Sequence, residues 1–204
     1  MKHKFSKYFI LLYFSLASQS CAFLKMSFHD KFAAEQRAHL STETIYVDVK
    51  FRAQSQPELC GVASMHMLID YYKTLFSDSI REELIHLAQE QNGLTGLQIK
   101  QAFLCAGYST YILKGDLSDE ISGIKYHLKK SHPLLVMLKS DSRNINHMVL
   151  VVGLDPTQHK VVVLDPTEGQ TLLKEDYFNK IWQQANNFML IAVPDLGVSC
   201  ENTK

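Results

Sequence analysis

Cys60 stands where an apolar, helix-periodic stretch begins, and the residues around it are typical of a thiol nucleophile. The reactive form of cysteine is the thiolate, whose pKa falls beside a helix N-terminus and an imidazolium. His147 and Asp165 follow downstream, and they are the residue types that exchange the proton and orient the imidazole ring. Gln54, six positions before Cys60, can donate a hydrogen bond to a developing oxyanion, which is worth about 3–4 kcal/mol. Together these four residues predict a thiol hydrolase.

Two other groups of residues could do chemistry, and the pattern favours neither. Asp155 also precedes a proline and is a rival to Asp165 for orienting His147, but it falls in a tight turn between two predicted strands. His66 and Asp70 have the i, i+4 spacing of a metal-binding helix face, although such a pair more commonly forms a solvated helix side. We therefore predict no metal site.

The elements that position these residues follow from hydrophobic periodicity and turn signals. Helical patterns dominate the first half of the domain, and capping boxes, Ser79 with Glu82 and Thr95 with Gln98, mark two helix starts. Short apolar runs dominate the second half. The predicted helices begin at Cys60 and then cover 79–91, 95–107, 117–130 and 175–184, and the predicted strands cover 45–51, 110–113, 134–138, 147–154, 160–164 and 188–193. Helices followed by an antiparallel sheet predict an α+β fold.

The first twenty residues have the pattern of a secretory signal peptide. A stretch with three lysines over residues 2–7 precedes a short apolar run over 8–16, and small residues stand just before Cys21. The run is too short for a convincing membrane span. Cys21 at the cleavage point resembles the lipid-modified cysteine of a bacterial lipoprotein, although Ser18 departs from the aliphatic residue usual in that motif. Ordinary secretion is the alternative.

This interpretation places the protein outside the cytoplasm. We expect a signal peptide over 1–20, lipid on Cys21, a tether over 21–44, one domain over 45–194, and a polar tail over 195–204. The location would be the periplasm, or a membrane to which the lipoprotein is anchored. In a Gram-negative host that membrane would be the outer one, and membrane contact would come through the lipid anchor.

Composition agrees with one globular domain and argues against some partners. The chain has 204 residues, of which 46% are hydrophobic and 21% are charged, enough for a sizeable core. Its formal net charge is zero, so nothing indicates a nucleic-acid partner. Four cysteines in an exported chain invite disulfides. With Cys21 and Cys60 assigned, a bridge between Cys105 and Cys200 is left open, and Cys105 is more simply a buried apolar residue.

Five segments, in order along the chain, carry a resemblance to a known family. They are Gln54-Ser-Gln-Pro-Glu-Leu-Cys60-Gly61-Val-Ala-Ser64, Gly93-Leu-Thr-Gly96-Leu97, Asn146-His147-Met-Val-Leu-Val-Val-Gly153, Val163-Leu-Asp165-Pro166-Thr-Glu-Gly169, and Tyr177-Phe178 through Trp182. They resemble the bacteriocin-processing cysteine peptidases that act on double-glycine leaders, which belong to the papain-like superfamily. The resemblance covers roughly residues 45 to 194 and implies a papain-like fold.

The resemblance also implies a role for each residue of the site. Cys60 would be the nucleophile, and His147 the general base and acid. Asp165 would orient the imidazole, while Gln54 and the backbone N–H of Cys60 would form the oxyanion hole. The implied reaction is acylation of Cys60 by an amide carbonyl, followed by hydrolysis, with no metal or organic cofactor.

Three residues beside the catalytic ones are expected to bind substrate. Gly61 would let the substrate backbone pass closely, and Asn146 and Met148 flank the histidine. Met148 stands where tryptophan is common in the family, so we expect one wall of the substrate groove to differ.

The function implied by the resemblance is a cysteine peptidase of the bacterial cell envelope. It would cut a peptide or protein after small residues such as Gly-Gly, and a partner protein in the envelope is left open. Many relatives are domains of peptide-exporting transporters, whereas this chain resembles a standalone, exported member. The competing functions are transglutaminase-like acyl transfer, a cell-wall endopeptidase with a Cys-His-His site, and an inactive peptidase-like module for peptide binding or assembly.

Overall fold

The computed structural model describes residues 33–139 and 145–195, and it has the α+β fold expected from the sequence. Its strands are β1 (Ile45–Tyr46), β2 (Tyr108–Lys114), β3 (Leu134–Lys139), β4 (Asn146–Asp155), β5 (Lys160–Asp165), β6 (Gly169–Lys174) and β7 (Phe188–Pro194). Its helices are α1 (Cys60–Tyr72), α2 (Asp78–Gln91), α3 (Gly96–Cys105), α4 (Ile124–Lys129) and α5 (Glu175–Gln183), and a 3-10 turn covers Pro57–Leu59. The predicted signal peptide, Cys21 and Cys200 lie outside the described residues.

The described strands join in one antiparallel sheet in the order β2-β7-β3-β4-β5-β6, and β1 pairs with the far end of β4. All residues of β4 from Met148 to Asp155 are buried, which is typical of a strand at the centre of a core. Helix α1 packs against β4, α3 against β2, and α5 against β3, β5 and β6. The contact of α1 with β4 brings the cysteine helix to the histidine strand.

Aromatic side chains fill the space between helices and sheet. Trp182, Phe103 and Phe178 are fully buried, and Trp182 Nε1 donates a hydrogen bond to the carbonyl of Phe188 at 2.8 Å. At Gly96, a Cβ atom would lie 2.3 Å from the Phe188 ring. A side chain at this position would therefore displace the Phe188 ring or move the start of α3 away from β7. The predicted capping box of Thr95 with Gln98 opens α3, with the Gln98 N–H donating to Thr95 Oγ1.

Two helix predictions were wrong in detail, because local side-chain hydrogen bonds compete with helix formation. Helix α2 begins at Asp78 without the predicted capping box, since the Ser79 hydroxyl is hydrogen-bonded to that of Ser77 at 2.7 Å. The helix predicted over 117–130 covers only Ile124–Lys129. Its first half is a loop closed by Asp116, whose carboxylate accepts from the Ser118 backbone and the Ser122 hydroxyl.

The strand predictions differ from the structure at two places. The strand predicted over 45–51 is paired as a ladder only at Ile45–Tyr46, although the N–H of Val47 still donates to Val152 at 2.8 Å. Strand β6, Gly169–Lys174, was not predicted because its sequence alternates weakly and follows Asp165 after a three-residue turn. It pairs along its whole length with β5.

Residues 33–44, which we call the strap, lie against the sheet. The Ser41 backbone N–H and hydroxyl each donate to the Asp155 carboxylate at 2.7 Å, and Gln170 Nε2 donates to the carbonyl of Ala33 at 3.2 Å. Two residues before Ser41, the carbonyl of His39 accepts a hydrogen bond from Gln158 Nε2. The described part of the predicted tether is thus packed on the domain.

Asp155 anchors the strap. Its side chain is fully buried, and it accepts backbone hydrogen bonds from Thr157 and Gln158 as well as the two from Ser41. Burial opposes ionisation of this carboxyl, but the hydrogen bonds, those of Ser41 foremost, lower its pKa to about 2.

No helix within the described ranges has the length and apolar character needed to cross a membrane.

Candidate active site

Cys60 lies at the point where a 3-10 turn continues into an α-helix. Pro57 opens a 3-10 turn that leads directly into α1, and Leu59, 5% exposed, anchors that turn in the core. Cys60 is the first residue of α1 and is half-buried, with a free thiol. The sequence predicted this position, and a thiol at a helix N-terminus lies where the backbone N–H groups favour negative charge.

His147 and Asp165 lie on neighbouring antiparallel strands, near the start of β4 and at the end of β5. His147 Nε2 is hydrogen-bonded to Asp165 Oδ1 at 2.8 Å, and both side chains are only about one-fifth exposed, at 22% and 20%. The same carboxylate oxygen accepts the backbone N–H of Thr167 at 2.7 Å, which fixes its direction. Because Nε2 is engaged by Asp165, the other ring nitrogen faces the nucleophile.

Cys60 and His147 are hydrogen-bonded and shift each other's ionisation. Burial opposes the thiolate, but the hydrogen bond and charge of His147 outweigh it, and the backbone N–H of Met148 and that of Gly61 also donate to the sulfur. The pKa of Cys60 is therefore lowered. Burial likewise opposes the imidazolium of His147, but its hydrogen bonds to Asp165 and Cys60 raise its pKa to about 10.

Asp165 completes the charge balance. Burial raises the pKa of its carboxyl, but the hydrogen bond and charge of His147 and the N–H groups of Thr167 and Glu168 lower it. The shifts of the three pKa values thus favour the charged forms, which are the thiolate, the imidazolium and the carboxylate. Such an arrangement can deliver a nucleophile and, afterwards, a proton to a leaving group.

Gln54 lies beside the site, and its backbone N–H donates to the carbonyl of Pro166 at 2.9 Å. This bond ties the loop before the nucleophile to the loop after Asp165. The Gln54 side-chain amide donates to the carbonyls of Gln56 and Pro57 at 2.9 and 3.0 Å, while its Oε1 is buried without a hydrogen bond. The predicted oxyanion role of Gln54 thus requires one of these two hydrogen bonds to be exchanged for a bond to substrate.

The structure corrects one of the three predicted substrate contacts, that of the Met148 side chain. Gly61 is buried, and a Cβ there would meet Ile99 Cδ1 at 3.2 Å, so its small size allows close packing against α3. Its contact with substrate stays a prediction. The Met148 side chain is 2% exposed and lies in the core, so it forms no groove wall. What Met148 contributes to the site is its backbone N–H. Asn146 is exposed at the start of β4, and its substrate contact stays a prediction.

The rival residues have other partners. Asp155 lies at the opposite end of β4 from His147, about 26 Å away along the strand, where it holds the strap. Asp70 is ion-paired with Arg52 at 2.5 Å, and the ring of His66 packs edge-on against Phe76. Within the described ranges, no three His, Cys, Asp or Glu side chains are grouped to hold a metal ion.

A cavity of about 800 Å³ lies elsewhere, between the strap and the C-terminal end of α1. Arg37, Phe51, Tyr72 and Gln170 are among its lining residues, and none of the four catalytic candidates is. Tyr72 is about 18 Å from Cys60 along the helix axis, so this cavity is separate from the reactive thiol.

Sequence reasoning missed Ser64. This residue is fully buried on α1, and its hydroxyl donates to the carbonyl of Met148 at 3.2 Å. Its position four residues after Cys60 places it on the nucleophile's side of the helix, which was a usable signal.

Comparisons with known proteins bear on the family and on the fold. The sequence profile of the peptidase C39 family matches residues 48–194. No curated protein sequence matches the chain. One similar solved structure is the double-glycine-motif protease of an AMS/PCAT transporter in complex with the leader peptide, at 20% identity and a TM-score of 0.55, covering 73% of this chain and 94% of that one. Another is the peptidase domain of Streptococcus ComA, a bifunctional ABC transporter in a quorum-sensing pathway, at 20% identity and a TM-score of 0.55, covering 71% and 97%.

Proposed function

The chain belongs to the peptidase C39 family, and on this premise we propose that it is a cysteine peptidase acting through Cys60, His147 and Asp165. The observation that carries the proposal is the joined geometry of the three side chains. His147 is hydrogen-bonded to the Cys60 thiol and, through Nε2 at 2.8 Å, to Asp165. Three separate elements converge to place these groups, and their charges stabilise each other.

The reaction that fits this arrangement is peptide-bond hydrolysis in two stages. The Cys60 thiolate attacks the scissile carbonyl carbon, and the imidazolium of His147 gives its proton to the leaving amine as the C–N bond breaks. A thioester on Cys60 remains. His147, now neutral, takes a proton from water, which attacks the thioester and releases the carboxylic acid and the thiol. Asp165 holds the ring and stabilises its charged form throughout.

Gln54 and the backbone N–H of Cys60 would stabilise the oxyanion of each tetrahedral intermediate. The amide of Gln54 now donates to two loop carbonyls, so it would move one of its hydrogens to the oxyanion as substrate arrives. Catalytic hydrogen bonds commonly tighten only in the substrate complex.

The proposed substrate is a peptide or protein cut after small residues such as Gly-Gly. Support comes from the family and from the transporter protease described above, whose structure contains a leader peptide. We further propose that residues 1–20 direct export and that lipid on Cys21 anchors the protein in the envelope, where a partner protein would present the substrate. Mass spectrometry of the mature N-terminus tests the anchor, because an unmodified Cys21 would refute it.

Alkylation of the full chain tests the catalytic proposal. Trypsin releases Cys60 on peptide 53–73, bounded by Arg52 and Lys73, and Cys105 on peptide 101–114, so each thiol is read separately. We expect iodoacetamide to label Cys60 well below pH 8, and more slowly in His147→Ala. A labelling midpoint near 8.5, that of an ordinary thiol, would contradict the proposed ion pair.

Turnover needs a second assay with a matched pair of substrates. Two synthetic peptides that differ only in carrying Gly-Gly or Val-Val before the same bond should differ in cleavage, with the first cut and Cys60→Ala inactive on both. Equal cleavage of the two peptides would refute the preference for small residues. If the acyl group is transferred to an added amine instead of to water, the protein is an acyltransferase and the peptidase proposal is wrong. Binding without turnover, even with a reactive thiol, would favour the inactive module.

A further inference from the structure

Ser64 is a polar residue in an otherwise apolar part of the core. It is fully buried on α1, one helical turn after Cys60. A serine inside a helix commonly bonds back to its own helix. The Ser64 hydroxyl instead donates across to β4, to the carbonyl of Met148 at 3.2 Å. It therefore joins the helix that carries the nucleophile to the strand that carries His147.

Met148 lies where β4 has no neighbour on one side among the described strands. The pairing of β4 with β5 begins at Leu150, which opposes Leu164, so no residue of β5 pairs with Met148. Helix α1 makes hydrogen bonds with both backbone groups of Met148. The Met148 N–H donates to the Cys60 sulfur, and its carbonyl accepts from Ser64. One residue of the strand is thus held between two residues that lie one turn apart on the helix.

We propose that Ser64 is a positioning residue, which holds Met148 so that the Met148 backbone N–H donates to the Cys60 sulfur beside His147. The inference deepens the proposed function, since it concerns how the same nucleophile is stabilised. A hydrogen bond to a charged acceptor weakens steeply as its distance and angle depart from the optimum. A small displacement of β4 against α1 would therefore weaken the hydrogen bond that the Met148 N–H donates to the Cys60 thiolate.

A purely structural role for Ser64 would have different consequences. The hydroxyl would then satisfy a buried carbonyl, and its loss would lower stability without touching the ionisation of Cys60. The two roles are separated by a readout of the thiolate itself. The pH dependence of Cys60 alkylation gives that readout and does not require a known substrate.

Three substitutions in the full chain form a matched set. Ser64→Thr and Ser64→Val have nearly the same shape and both add a methyl group, but only threonine keeps the donor. Ser64→Ala removes the donor without adding volume. Met67→Leu, a fully buried position on the same helix and outside the site, is the control for core perturbation. For each variant, thermal unfolding is recorded beside the labelling rate of Cys60 on peptide 53–73, with Cys105 as the internal reference thiol.

We expect the midpoint of Cys60 labelling to rise by about half to one pH unit in Ser64→Ala and Ser64→Val, a three- to tenfold change in the ionisation constant. Ser64→Thr and Met67→Leu should keep the wild-type midpoint, whatever their melting temperatures. Folded Ser64→Ala and Ser64→Val with an unchanged midpoint would overturn the inference and leave the catalytic proposal standing. A wild-type midpoint near 8.5 would instead overturn the catalytic proposal. If Ser64→Ala does not fold, the comparison of threonine with valine decides alone.

Discussion

Replacing Asp165 with asparagine should weaken the charged state of the site while keeping its shape. Asp165 Oδ1 accepts hydrogen bonds from His147 at 2.8 Å and from the Thr167 N–H at 2.7 Å. The amide oxygen of the substituted side chain can accept both, so the imidazole keeps its partner. The negative charge beside the ring is lost, and the imidazolium is no longer favoured by it.

The magnitude follows from the charges that act on His147. Its pKa is raised from 6.5 to about 10 by the carboxylate of Asp165 and the thiolate of Cys60. An opposite charge at this range changes a pKa by roughly 1–3 units. Because a raised histidine pKa means that the imidazolium is lost as pH rises through that value, the upper limit of the thiolate–imidazolium pair should fall to roughly pH 7–9. The equilibrium for proton transfer from Cys60 to His147 should fall by about ten- to a thousandfold.

The assay is alkylation of Cys60 in the full chain across pH 4 to 11, read on tryptic peptide 53–73. The wild type should give a lower inflection for formation of the ion pair and an upper inflection near pH 10, where His147 loses its proton and the thiolate loses its partner. In Asp165→Asn the two inflections should approach each other, and labelling below pH 7 should slow. Hydrolysis of a peptide substrate should fall in parallel, since the imidazolium gives its proton to the leaving amine in the first stage and forms again as His147 takes a proton from water in the second.

The chain offers a matched control for this substitution. Asp155 also precedes a proline and is also hydrogen-bonded, but it lies at the other end of β4 and holds the strap. Asp155→Asn should therefore lower stability without moving either inflection of Cys60. Our account of the site would be refuted by a folded Asp165→Asn protein that labels like the wild type, or by equal effects of the two substitutions.

Three further predictions address the oxyanion hole, the strap and the core. Gln54→Ala should slow peptide hydrolysis by about 10²- to 10³-fold with an unchanged pH profile of nucleophile alkylation, and a shifted profile would show that Gln54 acts on the thiolate instead. Acid titration of stability should show a loss of about 2 kcal/mol between roughly pH 4 and 2 as Asp155, whose pKa is lowered to about 2, becomes protonated; the loss should be absent in Asp155→Asn. Gly96→Ala should cost about 1–3 kcal/mol of unfolding free energy, because the new methyl would lie 2.3 Å from the Phe188 ring. Chemical denaturation measures this cost, and a wild-type midpoint for Gly96→Ala would refute the packing argument.

Much of the site could be predicted because its residues stand in recognisable local sequence patterns. Cys60 at a helix start, His147 at the start of an apolar strand and Asp165 at the end of the next strand are each recognisable from a few neighbours. Of Asp155 and Asp165, the structure brings only Asp165 to His147, since a hairpin turn places Asp155 far from the start of β4. The register of β4 with β5 shows this directly.

What could not be predicted depends on contacts between distant segments. The contacts of Ser64 and of the Met148 N–H arise only when α1 is laid against the start of β4, on the side where no described strand pairs with it. Nothing in the local sequence reveals that a Cβ atom at Gly61 would lie 3.2 Å from Ile99 Cδ1. The sequence predicts a helix where the loop closed by Asp116 lies, because hydrophobic periodicity carries no information about competing side-chain hydrogen bonds.

The docked strap would limit the distance between the proposed peptidase and a membrane to which lipid on Cys21 anchored it. If the proposed lipid is attached to Cys21, a free leash over 22–44 would reach roughly 80 Å when fully extended. With residues 33–44 fastened to the sheet through Asp155 and Gln170, only residues 22–32 remain, and the maximum reach is roughly 40 Å. Halving the radius shrinks the accessible volume about eightfold. The active site of such an anchored peptidase would reach only a thin layer next to the bilayer. Its substrates would have to enter that layer to be cut.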